Sequence, residues 1–234
     1  MFRHILGGGD IQSYLISILL SLPIVLLALS LHEAAHGFAA WRLGDPTARN
    51  FGRITLNPLK HLNPIGTVCM IVAGFGWANP VPVNSRYFKK PRRDIALTSL
   101  AGPLSNVLMA AIFALLLRLS YTGLEFISIG NSTATTVLSI WLSFLMLGIR
   151  LNAMLAVFNM IPVSPLDGGR ILNFFLPSRL VYKMSRYERV ISLVLMAALM
   201  VGVLTPVIHF LSDLLVRLLL TATLLKDTAF WYLV

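Results

Sequence analysis

The chain has 234 residues, 57% of them hydrophobic and only 12% charged, with a mean hydropathy of +0.80. Globular domains carry about twice that share of charge, which argues against a soluble protein and for a multi-pass membrane protein built as one domain over 1–234. The net charge of +10 invites a nucleic-acid reading, but its placement does not support one: nine of the 19 Lys and Arg lie between Arg42 and Arg93, and five more between Arg170 and Arg189. These are short loops beside apolar runs, where a basic excess marks the cytoplasmic side of a membrane. No nucleic-acid partner is expected.

The first apolar run, residues 11–31, continues as a helical pattern through HEAAHGFAAWRLG, with Gly44 and Pro46 as its stop. It runs on into charged, histidine-bearing sequence, which predicts no cleavable signal peptide. Residues 45–64 are polar and rich in turn formers. The run from Ile65 to Phe75 is too short to span, and it ends in GFGWANPVPVN, where two prolines forbid a helix. A short β-hairpin or re-entrant segment is expected near residues 65–88, covered by protein or lining a cavity, because lipid does not tolerate exposed irregular backbone.

A second span is expected over 95–117, interrupted near its start by Ala101-Gly102-Pro103. The loop around 123–133 carries Glu125 and no base, which places it outside. A third span covers 134–160 and ends at Pro162. A short helix opens at Asp167 and a basic loop follows. The apolar run 190–225 is too long for one crossing, and Pro206 divides it into two short spans. The expected fold is therefore all-α and polytopic, with about five transmembrane spans. Its catalytic core is placed over 11–176 and a C-terminal membrane hairpin over 189–225.

The string His32-Glu33-Ala34-Ala35-His36 carries the chemistry. Residues i and i+4 share a helix face, so both imidazoles reach one ion while Glu33 projects beside them. With 5 His and a few Glu in the chain, HExxH arises by chance in roughly one such sequence in a thousand. The bland alternative is a histidine pair packed in a bundle, but that leaves Glu33 without a reason to sit in an apolar helix. A catalytic zinc needs a third protein ligand and an open position. Among the nine acidic residues only Glu33, Asp167 and Asp213 lie within or beside apolar segments, and Arg217 one turn on from Asp213 suggests an ion pair there. Asp167 is favoured as third ligand, with His61 and Cys69 as alternatives and a helix N-cap as its ordinary role.

Three separated motifs resemble the site-2 protease family of intramembrane zinc metalloproteases, in its compact microbial branch without a PDZ domain. They are HEAAH (32–36), GFGWANPVPVN (74–84) with AGPLSN (101–106), and FNMIPVSPLDGGRIL (158–172). The resemblance implies one catalytic zinc held by His32, His36 and Asp167, with Glu33 as general base and Asn159 as oxyanion donor. Gly102 and Asn106 match a G-x-x-x-N motif of the family. Asn79 stands where a basic residue is expected, and Ser164 where a proline is. The implied activity is a metalloendopeptidase cutting a membrane-anchored protein or peptide. The implied place is a bacterial cell membrane, with the active site towards the cytoplasm. Asn152, two turns before Asn159, is a second candidate polar contact, and the 65–84 segment a candidate edge for an extended substrate. A polytopic metal or solute transporter using the same residues is the main rival, but no repeat halves are visible. A proteolytically inert scaffold is the other, and the intact His-Glu-His and Asp167 argue against it.

Overall fold

The computed structural model describes residues 11–63, 66, 79–124 and 132–223. Among them are eight α-helices: α1 (Ile11–Arg42), α2 (Thr47–Asn50), α3 (Pro91–Leu124), α4 (Ser132–Asn159), α5 (Asp167–Phe175), α6 (Ser178–Arg186), α7 (Glu188–Val201) and α8 (Thr205–Ala222). Four of these contain stretches long and apolar enough to cross a membrane: Ile18–Arg42, Pro91–Thr122, Thr133–Asn159 and Thr205–Ala222. The 14 residues of α7 rise only about 21 Å, less than a hydrocarbon core of about 30 Å, so α7 is not among them. Most of the expected hairpin lies outside the described residues. Its described part, 79–88, holds no strand, only a 3-10 turn at Ser85–Tyr87.

The core is where α1, α3, α4 and α8 meet, in a cluster that includes Ile24, Phe113, Leu117, Leu145, Ile149 and Val216. Small residues bring the helices close, as Ala28, Ala110, Ala114 and Ala153 are all fully buried. Gly148 is one such contact, since a β-carbon there would lie 2.6 Å from the Phe113 ring. The opposite faces carry exposed Leu19, Leu108, Leu119, Val137, Leu193 and Phe210, the apolar surface that a bilayer covers.

Helix α3 runs unbroken through Pro103, where an interruption was expected. The proline removes one amide from the ladder, leaving the Ser99 carbonyl without its usual i+4 donor, and packing on α1, α4 and α5 holds the helix together regardless. The break in the 190–225 run does occur. Gly202 makes it, with φ +82 and the Leu199 and Ala198 carbonyls capped by the amides of 202 and 203, while Pro206 sits in the first turn of α8. Residues 178–186, read from sequence as a basic loop, form helix α6.

Candidate metal centre

His32 and His36 lie on one face of α1, and Asp167 is the first residue of α5. Their ligand atoms converge. The two Nε2 atoms are 3.0 Å apart, and each is 3.2 Å from Asp167 Oδ2. Zinc bonds of about 2.0–2.1 Å place tetrahedral ligand atoms about 3.3 Å from one another, so the three atoms outline one face of such a site. His61 and Asp213 are not part of this trio, and Cys69 lies outside the described residues.

The backs of both rings are fixed. His32 Nδ1 donates to Asn106 Oδ1 at 2.7 Å, and His36 Nδ1 donates to the Thr98 carbonyl at 2.7 Å. Asn106 is oriented by its own amide, which reaches the Ala28 carbonyl at 3.4 Å and Asn152 Oδ1 at 3.2 Å; turning it over would set oxygen against oxygen. Asn152 in turn donates to the Gly148 carbonyl at 2.9 Å. With their protons on Nδ1, both neutral imidazoles point bare Nε2 lone pairs at each other and at a carboxylate oxygen. That oxygen is buried and has no aligned hydrogen-bond partner. Three lone-pair donors facing one point repel unless a cation lies between them, so the donor set fits zinc.

Asp167 is ionised for this role. Burial pushes its carboxyl up, but protons on the facing His32 and His36 rings outweigh burial and hold it down to about 2. Where those rings are neutral, a bound cation takes the place of their protons. Its side chain makes no helix cap; Leu166 holds the capping position and the carboxylate turns to the histidines. The turn that aims it needs Gly168 and Gly169. A β-carbon on Gly168 would lie 2.3 Å from the Met160 carbonyl oxygen, and one on Gly169 2.6 Å from the Ser164 nitrogen. The loop leaving α4 thus folds directly onto the first turn of α5. Asn159, the last residue of α4, is half-buried there and donates to the Leu155 carbonyl at 2.9 Å.

Glu33 sits on α1 between the two histidines, half-buried, and its Oε2 accepts the Val81 amide at 2.9 Å. Val81 belongs to an extended stretch held on several sides. Arg53 donates to the Asn79 carbonyl at 2.6 Å, the Asn79 amide to the His61 carbonyl at 2.7 Å, and the Asn84 amide to buried Asp45 at 2.6 Å. Asn79, the departure noted in the sequence, donates its side-chain amide to the Leu62 carbonyl at 2.9 Å.

Sequence reasoning found the trio and Glu33. It did not find the supports: Asn106 appeared only as a motif position, Asn152 as a second candidate polar contact, and the Thr98 and Val81 backbone not at all. Asn152 is fully buried behind Asn106, two residues removed from the ligand atoms. Gly102 has a plain steric role. A β-carbon there would lie 2.4 Å from His36 Nε2 and 2.6 Å from His32 Cε1. Gly102→Ala is therefore expected to displace both rings and lower zinc affinity by roughly 10–100-fold, the scale of losing a supporting residue. Chelator competition on the purified protein checks this. Affinity equal to wild type would mean the rings tolerate the extra methyl.

A family model described as Peptidase family M50 matches residues 20–203. The chain is 44% identical over 177 residues to "Putative zinc metalloprotease YwhC" of Bacillus subtilis, covering 75% of this chain and 78% of that protein. It is 30% identical over 199 residues to "Putative zinc metalloprotease Rip2" of Mycobacterium tuberculosis (strain Erdman), covering 81% and 71%. The Rip2 of Mycolicibacterium smegmatis is 30% identical over 148 residues, covering 61% and 52%. No solved structure matches the chain. A membrane-helix HExxH, an aspartate brought to it from a distant helix, and a family match over most of its length agree: the chain belongs to peptidase family M50, the site-2 protease family.

Proposed function

We propose that this protein is a zinc metalloendopeptidase that hydrolyses peptide bonds of membrane-embedded substrates. The observation that carries the reading is the convergence of His32 Nε2, His36 Nε2 and Asp167 Oδ2 on one point, with Glu33 on the same helix. A zinc ion held by these residues supplies Lewis acidity, activating water and polarising the scissile carbonyl. Glu33 accepts the proton of the attacking water and delivers it to the leaving amine. Its Val81 tether limits the swing of the carboxylate and ties the 79–84 stretch to the chemistry. Asn159 releases the Leu155 carbonyl and donates to the developing oxyanion.

Topology follows from charge. The basic segments 42–93 and 170–189 face the cytoplasm of a bacterial cell, and the active site lies towards that side. Impermeant thiol reagent added to intact cells is expected to label a cysteine at Ser128 and spare one at Ser85, both in a Cys69→Ser background. The reverse pattern would invert the orientation.

The activity is tested by reconstituting the purified chain in proteoliposomes with a single-pass membrane substrate and mapping the cut by mass spectrometry. Cleavage inside the apolar segment, abolished by zinc chelation and restored by added zinc, is expected. Cuts confined to soluble tails would limit the enzyme to extramembrane bonds. The oxyanion role has its own test. Asn159→Ala is expected to keep its zinc and melting temperature but to lower kcat by roughly a hundredfold or more. Asn152→Ala, which removes a support behind Asn106, is expected to act on zinc affinity instead. The opposite division of effects would make Asn159 a structural amide.

A further inference from the structure

Helix α6, Ser178–Arg186, lies outside the metal centre and has no role in the chemistry above. Its nine residues are fewer than the roughly 12–15 an isolated helix needs to be even marginal in water, yet none of them is buried by the rest of the chain. The sequence SRLVYKMSR is sharply two-sided. Arg179, Lys183 and Arg186, at i, i+4 and i+7, share one face, all exposed, and the helix has no acidic residue. Leu180, Val181 and Met184 share another, with Leu180 46% exposed and Val181 and Met184 half-buried. An apolar face that the rest of the chain covers only in part leaves room for another surface to complete its burial.

The position of α6 says which surface. The preceding residues are tied to the head of the spanning helix α3, where Arg92 donates to the carbonyls of Asn173 and Leu176. Phe174 and Phe175 stack edge to face there at 5.0 Å, and Phe175 is 73% exposed. At the other end Glu188, the nearest acid, accepts a hydrogen bond from Ser164 at 2.5 Å. Helix α6 is thus tied on one side to the head of α3 and on the other to the loop after α4, with Leu180, the neighbouring Phe174 and Phe175 and its own three cations exposed and Val181 and Met184 partly covered.

We infer that α6 lies in the plane of the membrane interface and binds anionic phospholipid. Leu180, Val181 and Met184 enter the acyl boundary, and Arg179, Lys183 and Arg186 reach the headgroup phosphates. The inference needs only that α3 spans the membrane, and stands apart from the proteolytic reading.

The test uses the full chain in nanodiscs of phosphatidylcholine with or without phosphatidylglycerol. In a Cys69→Ser background, a fluorophore at Met184→Cys is expected to be quenched by brominated acyl chains and spared by aqueous iodide. One at Lys183→Cys should be more open to iodide. Native mass spectrometry is expected to show preferential retention of phosphatidylglycerol over phosphatidylcholine. The Arg179→Gln/Lys183→Gln/Arg186→Gln variant should lower that preference roughly tenfold or more, with zinc content unchanged. Lys183→Gln alone should give a smaller drop in the same direction, which keeps the test valid should the triple variant fold poorly. An iodide-accessible Met184 label, or an undiminished preference in both charge variants, would overturn the inference. So would a Met184 label shielded from both quenchers, since protein would then cover the face.

Discussion

Glu33→Gln is expected to lower proteolysis by roughly 10²–10⁴-fold, the usual contribution of a general base, while zinc stays at about one ion per chain. The structural and the chemical duty of Glu33 separate cleanly. Its Oε2 accepts the Val81 amide at 2.9 Å, and the carbonyl oxygen of glutamine can accept that same bond. The 79–84 stretch therefore keeps its tether, and the ligand trio, which does not include Glu33, keeps its geometry. Only the capacity to take a proton is lost. Should Glu33 serve merely to anchor Val81, the variant would cut at a rate close to wild type, and that outcome would remove the base assigned here.

Asp167→Ala is expected to lose both zinc and activity. It leaves two imidazoles, 3.0 Å apart, as the sole protein ligands of the trio. The drop in affinity should exceed the roughly 10–100-fold attached to supporting residues, because a bond to the metal itself is gone. Since the carboxylate does not cap α5, the helix has no local reason to unwind in the variant. Thermal melts distinguish the two effects. A bound metal stabilises the native state by mass action, so chelator should lower the melting temperature of the wild type and leave that of the variant unchanged. A chelator response of full size in Asp167→Ala would put the third ligand elsewhere.

What could be read from sequence was local. The helix-face spacing of His32 and His36 lies within five residues, and the spans lie in continuous apolar runs. Asp167 was reached by elimination, which works when a chain has only nine acids. The supports were hidden because they join distant segments: His32 to Asn106 across 74 residues, His36 to Thr98 across 62, and Glu33 to Val81 across 48. Two of these three partners are backbone groups, which leave no mark on residue identity. Pro103 misled for a related reason, since a proline predicts a break that packing on neighbouring helices overrides. In α6, three basic residues and two serines among nine positions masked a helix whose evidence was the spacing of Arg179, Lys183 and Arg186. Asp45, in a loop, and Asp94, in the first turn of α3, are both buried and bonded to backbone amides, contacts that also leave no mark on the sequence.

X-ray absorption at the zinc edge of the purified wild-type chain tests the centre most directly. The account predicts only nitrogen and oxygen neighbours at about 2.0–2.2 Å, with the multiple-scattering pattern of two imidazoles and no sulfur. A sulfur scatterer at about 2.3 Å would bring in Cys69 and contradict the ligand set of His32, His36 and Asp167.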